Sequence, residues 1–302
     1  MLPFIEQTAR YESFWSGTIV HAHTGSADNP AVASHGFIPT FGCPSDGNAK
    51  VASYRNGLHP CSYHPSMGDA MRTFGIGGDH AESAHSTTTV TNRRGFFSGK
   101  SLFRNNQKPK NFGAVADGLS NTVAMSEGVV SATENSYDIK GGVVLRTFND
   151  HGDAVFRPNE SLAWITNPAN GYAGNPKSFA GVSGVAPAET GRGVNFADGR
   201  LLRNGFNTVI GPNRASFFFR NLAGASGMYT VTSNHTGGVN VAMGDGAVRF
   251  INDTIESGNS SAWIVVTGDA TYPTDGRQPT GRSPFGIWGA LGSINGGESA
   301  SL

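Results

Sequence analysis

The sequence predicts an α+β or mainly β fold from three observations: abundant glycine, short apolar runs bounded by Gly, Asn or Asp, and one N-terminal stretch with helical spacing. Glycine occupies 42 of 302 positions, roughly twice its usual share, and charged residues make up only 15%. A long helical bundle or coiled coil is excluded. With 37% hydrophobic residues over this length, the chain can close a sizeable core, which excludes a disordered protein.

Residues 2–15 (LPFIEQTARYESFW) are expected to form the helix. Pro3 suits a first turn, and Phe4, Ile5, Thr8, Ala9 and Glu12 gather the less polar side chains on one face. Residues 16–112 lack sustained periodicity and read as a loop-rich insertion with short strands, such as 18–20 (TIV) and 36–39 (GFIP). Residues 113–291 read as a β-rich core, with strands at 122–125, 142–145 and 262–266; 213–224 (NRASFFFRNLAG) fits either a short helix or an apolar strand. The Gly- and Ser-rich end is expected to fray after Leu291, leaving 292–302 as a flexible tail of one domain spanning 1–302.

Asp-Gly recurs at 46–47, 117–118, 198–199, 245–246 and 275–276. The pair tolerates positive φ at both centres of a tight turn, so each occurrence is a candidate turn tip. The clearest is Asp245-Gly246, expected as a type I′ turn joining two strands. Val239, Val241 and Met243 share one face of the first strand, and Val248 and Phe250 share a face of the second, so one side of the hairpin can be buried. The uneven spacing of the pairs excludes a solenoid or propeller.

Formal charge is zero and no basic stripe exists, so nucleic acid is not an expected partner. Arg93-Arg94 and Lys108-Pro109-Lys110 read as solvated loop charge. No run of about 18 apolar residues is present, so the chain as given carries no membrane segment. Nine histidines include His21 and His23, two apart, and His59, His64, His80 and His85, yet no dense metal signature accompanies them. The sequence has neither a GxSxG elbow nor a phosphate-binding GxxxxGK[ST] loop, so no catalytic residue is nominated and a non-enzymatic protein is expected. No cofactor is expected. Calcium at Asp- and Asn-rich turns is the alternative, although the EF-hand pattern is missing.

Cys43 and Cys61 have no CxxC spacing and cannot make a tetrathiolate zinc site. They are expected either to form a disulfide, stabilising the fold by about 3 kcal/mol and implying an oxidising compartment, or to be two buried free thiols; the disulfide is the sharper expectation. Two polar segments stand out. Asp117 to Glu127 (DGLSNTVAMSE) reads as a tight turn, its polar side chains satisfying local backbone, followed by a strand ending in a carboxylate. Ser233 to Gly238 (SNHTGG) leads into the hairpin.

These residues carry a family likeness. His235, nine intervening residues and Asp245-Gly246 match an "H-x9-DG" signature, and Asp117, Gly118, Asn121 and Glu127 match a companion "DGxSNTxxxxE" element. Residues 2–7 (LPFIEQ) and 41–46 (FGCPSD) match "LPxxEQ" and "FxCPSD". Further stations lie at 205–208 (GFNT), Pro212-Asn213 and 288–292 (WGALG). The chain resembles the large planctomycete-type family of pilin-like proteins of unknown function. The resemblance implies a pilin-like head, an antiparallel sheet with a short N-terminal helix and long irregular loops, in an exported protein at the cell surface, outside the cell or in the periplasm. It implies a structural role in a filament or secretion-associated assembly, with copies of itself or related pilin-like subunits as partners. An extracellular module binding a glycan, peptide or calcium is the alternative, with Trp164 and Tyr172 as candidate sugar-facing rings. The family's leader and apolar helix would precede the "LPxxEQ" element, so these residues are expected to be a nearly complete head without its assembly helix. Asp245-Gly246 would shape the hairpin, His235 would lock the approach loop, and Asp117 and Glu127 would organise a second loop nearby.

Overall fold

The computed structural model describes residues 2–16, 38–50, 59–69, 94–97, 111–133, 136–146, 157–182, 185–187, 191–198, 201–218, 227–262 and 281–298. The runs at 18–20 and 36–37, the strand expected at 263–266, the Asp-Gly at 275–276, and His21, His23, His80 and His85 lie outside them. At the N-terminus the expected helix is divided. Pro3 opens a 3-10 turn (Leu2–Ile5), Glu6 adopts φ 59°, and that left-handed residue breaks the helical path before α1 (Thr8–Ser16).

Two four-stranded sheets build an α+β architecture. The first runs β1 (Tyr63–Pro65), β2 (Val123–Glu127), β7 (Gly238–Met243), β8 (Val248–Asn252), and every pairing is antiparallel. The second is ordered β4 (Val185–Pro187), β3 (Val143–Arg146), β5 (Ser216–Phe218), β6 (Gly227–Met228), with β3 and β5 parallel. The ambiguous segment at 213–224 therefore contains a strand, its Phe217 and Phe218 both buried.

Alternation in the hairpin decides which face of the first sheet is covered. Val239, Val241 and Met243 point inward with Val123 and Ile251, where Phe206 and Val231 join Trp288 and Leu291 of α4 (Gly286–Gly292). Val248 and Phe250 do share a face, but register pairs them with Ala242 and Asn240, so they lie on the outer side, 70% and 51% exposed. An irregularity between Val123 and Met125 shifts the phase of β2 and sets Met125 opposite Ala242. The turn also differs from the expected type I′. Gly246 N–H donates to Met243 O and Met243 N–H to Ala247 O, with positive φ at Gly246 (88°) alone. This is the three-residue loop of a type I turn followed by a left-handed glycine, in which Asp245 keeps ordinary φ.

The second core packs Val144, Phe217 and Met228 against Ile165 of α2 (Pro158–Ile165), Phe179, Val182 and Phe285. A third cluster gathers Met67, Val143, Phe218 and Tyr229 with Leu201 and Leu202 of α3 (Leu201–Asn204). Residues 292–298 do not fray: Ser293 and Ile294 are buried, and Ile294 N–H donates to Arg94 O at 2.8 Å; residues 299–302 of the expected tail lie outside the described residues. Among the described residues no helix is long and apolar enough to cross a membrane.

His64, on the inner side of β1, is fully buried beside Arg192, whose guanidinium approaches Nδ1 at 3.0 Å and donates to Gly205 O. Gly128 makes room for the ring, since a Cβ there would lie 2.4 Å from its Cε1. Burial first, then the Arg192 charge, hold the His64 pKa well below the ordinary 6.5. Burial likewise lowers Arg192, to about 10. The unfolded chain takes up a proton below 6.5 that folded His64 refuses. Its contribution to stability is therefore full above that pH and lost as pH falls. Buried His59 acts in the same sense, whereas Asp46 and Asp69, raised by burial, act oppositely nearer the carboxylate range. Thermal melts between about pH 7.5 and 5.5 are expected to show falling stability, with His64 contributing up to about 1.4 kcal/mol per pH unit. His64→Asn should flatten the profile; an unchanged slope would refute this origin.

Candidate functional site

A cleft of about 610 Å³ opens on the outer face of the first sheet. Tyr63, Met125, Ala242 and Val248 contribute to its lining, with the 43–45 loop and His235. Strand geometry places Glu127 here: it pairs with Tyr63 across β1 and lies next to Asn240 of β7, so its carboxylate rises from the same face as the apolar residues.

Glu127 is buried and tightly held. Asn240 N–H donates to Oε1 at 2.6 Å, and Ser233 Oγ–H donates to Oε2 at 2.9 Å. The same Ser233 oxygen accepts from His235 N–H at 3.1 Å, so one hydroxyl fixes both the carboxylate and the histidine loop. Lys140 Nζ donates to Ser233 O and anchors that loop from behind. His235 Nε2 lies 3.3 Å from Glu127 Oε2 and 3.4 Å from Ser45 Oγ. Cys43 Sγ lies 3.0 Å from Ser45 Oγ and 3.8 Å from Glu127 Oε2. One sulfur, one carboxylate oxygen and one imidazole nitrogen, all within 4.8 Å of one another, converge here.

The expected disulfide is absent, and both thiols are free and buried. Cys43 is turned toward Glu127, whereas Cys61 Sγ–H donates to Tyr63 O at 3.3 Å on its own stretch of chain. Burial raises the Cys61 thiol to about 11, leaving it an inert core group.

The remaining signature residues lie apart. His235 precedes β7 and Asp245 follows it, so a six-residue strand, roughly 20 Å long, separates the two ends of H-x9-DG. Asp245 caps its own turn, accepting from Ala247 N–H at 2.9 Å. Asp117 stands before β2 and Glu127 ends it, so the two carboxylates do not share a loop. Asp117 accepts from Gly296 N–H at 2.6 Å and Gly297 N–H at 3.0 Å, tying the C-terminal stretch to the middle of the chain. Gly118 takes φ 94°, and Asn121 Nδ2 donates to Asp117 O, closing that turn.

Three participants, Ser45, Asp46 and Ser233, escaped sequence reading. Asp46 of the first Asp-Gly pair is buried and accepts from Asn48 N–H, Ser62 Oγ–H and Val130 N–H, pinning the Cys43 loop to the chain beyond β2. Cys43 with Ser45, and Ser233 with His235, are both two-apart polar pairs on loops, the one local signal that these side chains face a common space.

An α+β fold of two sheets, its signature residues divided between a cleft and several backbone locks, is the class of protein defined here. The chain belongs to the family described as "Protein of unknown function (DUF1559)", whose profile matches residues 1–258. Nothing among curated proteins or solved structures matches the chain significantly.

Proposed function

We propose that the chain is the head of a non-enzymatic, pilin-like structural subunit that forms or decorates a cell-surface or secretion-associated assembly. The observation that carries this reading is the use made of the signature carboxylates. Asp46, Asp117, Glu127 and Asp245 all accept from backbone N–H groups. Three of them fasten segments far apart in sequence. Residues employed this way make a loop-rich head rigid, the requirement of a subunit that must present a fixed surface to its neighbours. Its partners are copies of itself or related subunits, outside the cell or in the periplasm.

Cross-linking of intact cells that express the protein is expected to give a ladder of higher-order species open to external protease; a monomer confined to the cell interior overturns the reading. Asp117→Ala, which leaves the buried Gly296 N–H without its acceptor and returns the exposed Gly297 N–H to water, should lower folding stability by about 1–3 kcal/mol in denaturant titrations.

A second reading, an extracellular module for a glycan, peptide or calcium, is favoured by the cleft beside His235. Trp164 and Tyr172 support its sugar form poorly, because both rings pack against the second core. A saccharide array and a calcium-dependent melting shift separate this reading from assembly alone.

A further inference from the structure

We propose that Cys43, Glu127 and His235 form a mononuclear site for a divalent transition-metal ion of zinc-like preference. A tetrahedral ion bound by sulfur, oxygen and nitrogen holds its donors roughly 3.3–3.6 Å apart. The His235–Glu127 separation of 3.3 Å and the Cys43–Glu127 separation of 3.8 Å already approach that spacing. The donors come from three distant stretches of chain, and each is positioned by a contact independent of any ion. Asp46 pins the Cys43 loop, Asn240 N–H and Ser233 orient the carboxylate, and Ser233 holds the His235 backbone. A ligating carboxylate that is itself hydrogen-bonded, as Glu127 is, is the usual support around a metal.

The alternatives fit the geometry less well. A Cys-His-Glu catalytic arrangement needs one imidazole nitrogen at the nucleophile and the other at the carboxylate. Here Nε2 alone faces both Glu127 and Ser45, on the side where Cys43 lies. Calcium takes six to eight oxygen donors, whereas this set offers a soft sulfur and a nitrogen. Three protein ligands leave a fourth position for solvent or for a donor atom from outside the chain, and Cys43, Ser45, Glu127 and His235 all line the cleft. The inference does not depend on an assembly role, since a monomeric head would bind the ion equally.

Full-chain protein, purified under reducing conditions and stripped with chelator, is titrated with Zn2+ and Co2+. One ion per chain is expected, with a rise in melting temperature and, for Co2+, thiolate-to-metal charge-transfer absorption. Zn2+ should also protect Cys43 from alkylation in peptide mapping. Cys43→Ser should lose the charge-transfer band, and Ser233→Ala should weaken affinity about 10–100-fold. His235→Ala, whose side chain is partly exposed, should still melt cooperatively but lose the Zn2+-induced shift, and it carries the test if Cys43→Ser does not fold. Substoichiometric binding by the wild-type chain, or binding by His235→Ala equal to wild type, overturns the proposal.

Discussion

Asp69→Ala is expected to lower folding stability by about 3–5 kcal/mol, because it strands a buried guanidinium. Asp69 Oδ1 lies 3.1 Å from Arg94 Nε, and both side chains are almost wholly shielded from solvent, so Arg94 is a buried ion-pair partner and not the solvated loop charge expected from sequence. Arg94 also donates to Ser293 Oγ at 3.1 Å and to Gly281 O at 2.6 Å. The pair thus holds the segment after β1 against both flanks of α4. Burial raises the Asp69 carboxyl pKa even though Arg94 opposes the rise, which means the ion pair compensates only part of its own desolvation. The double variant Asp69→Ala/Arg94→Met removes both charges and should recover most of the loss. Chemical denaturation of the two single variants and the double variant tests this; additive losses would show that the two groups do not act as a pair.

Trp288→Ala should cost a similar amount, about 3–5 kcal/mol. The indole is fully buried, its ring stacks near-parallel on Phe206 with centroids 6.4 Å apart, and its Nε1–H donates to Ile210 O at 3.0 Å. Truncation opens a cavity under the first sheet and leaves a carbonyl without its donor. Trp288→Phe keeps most of the volume and should lose less, though the orphaned carbonyl still contributes about 1–3 kcal/mol. If equilibrium unfolding of the alanine variant shifts by under about 1 kcal/mol, the cluster has repacked and the indole is not the keystone its burial suggests.

Local pattern made much of this legible. The β7–β8 hairpin is written in the alternation of Val239, Val241 and Met243 around a single Asp-Gly, and β2 in a short apolar run ending at Glu127. The turn type was not legible, because Asp-Gly suits both a two-residue loop and a three-residue loop with glycine last, and strand register rather than composition selects between them. Register also decided that Ile251, rather than Val248 or Phe250, would be the covered residue of β8. The cleft was half legible. His235 and Glu127 sit in recognisable segments, but Cys43 joins them across 84 residues of chain, and a thiol looks the same in sequence whether it faces another thiol or a carboxylate. The ordered C-terminal stretch was hidden for a similar reason. Its Gly and Ser content signals fraying, while its restraint comes from Asp117, 179 and 180 residues away in sequence.

Placing Trp288 and Leu291 beneath β7 and β8 has a consequence for the order in which the molecule matures. The inner faces of those strands cannot be fully covered until residues 286–292 have been synthesised and have docked beside Phe206 and Val231. A nascent chain that has already emitted the hairpin therefore carries Val239, Val241 and Ile251 only partly covered, a sticky interval during which it depends on chaperones or on speed. Pausing of the ribosome between the hairpin and α4 would lengthen that interval, so slower translation over this stretch should lower the yield of folded protein.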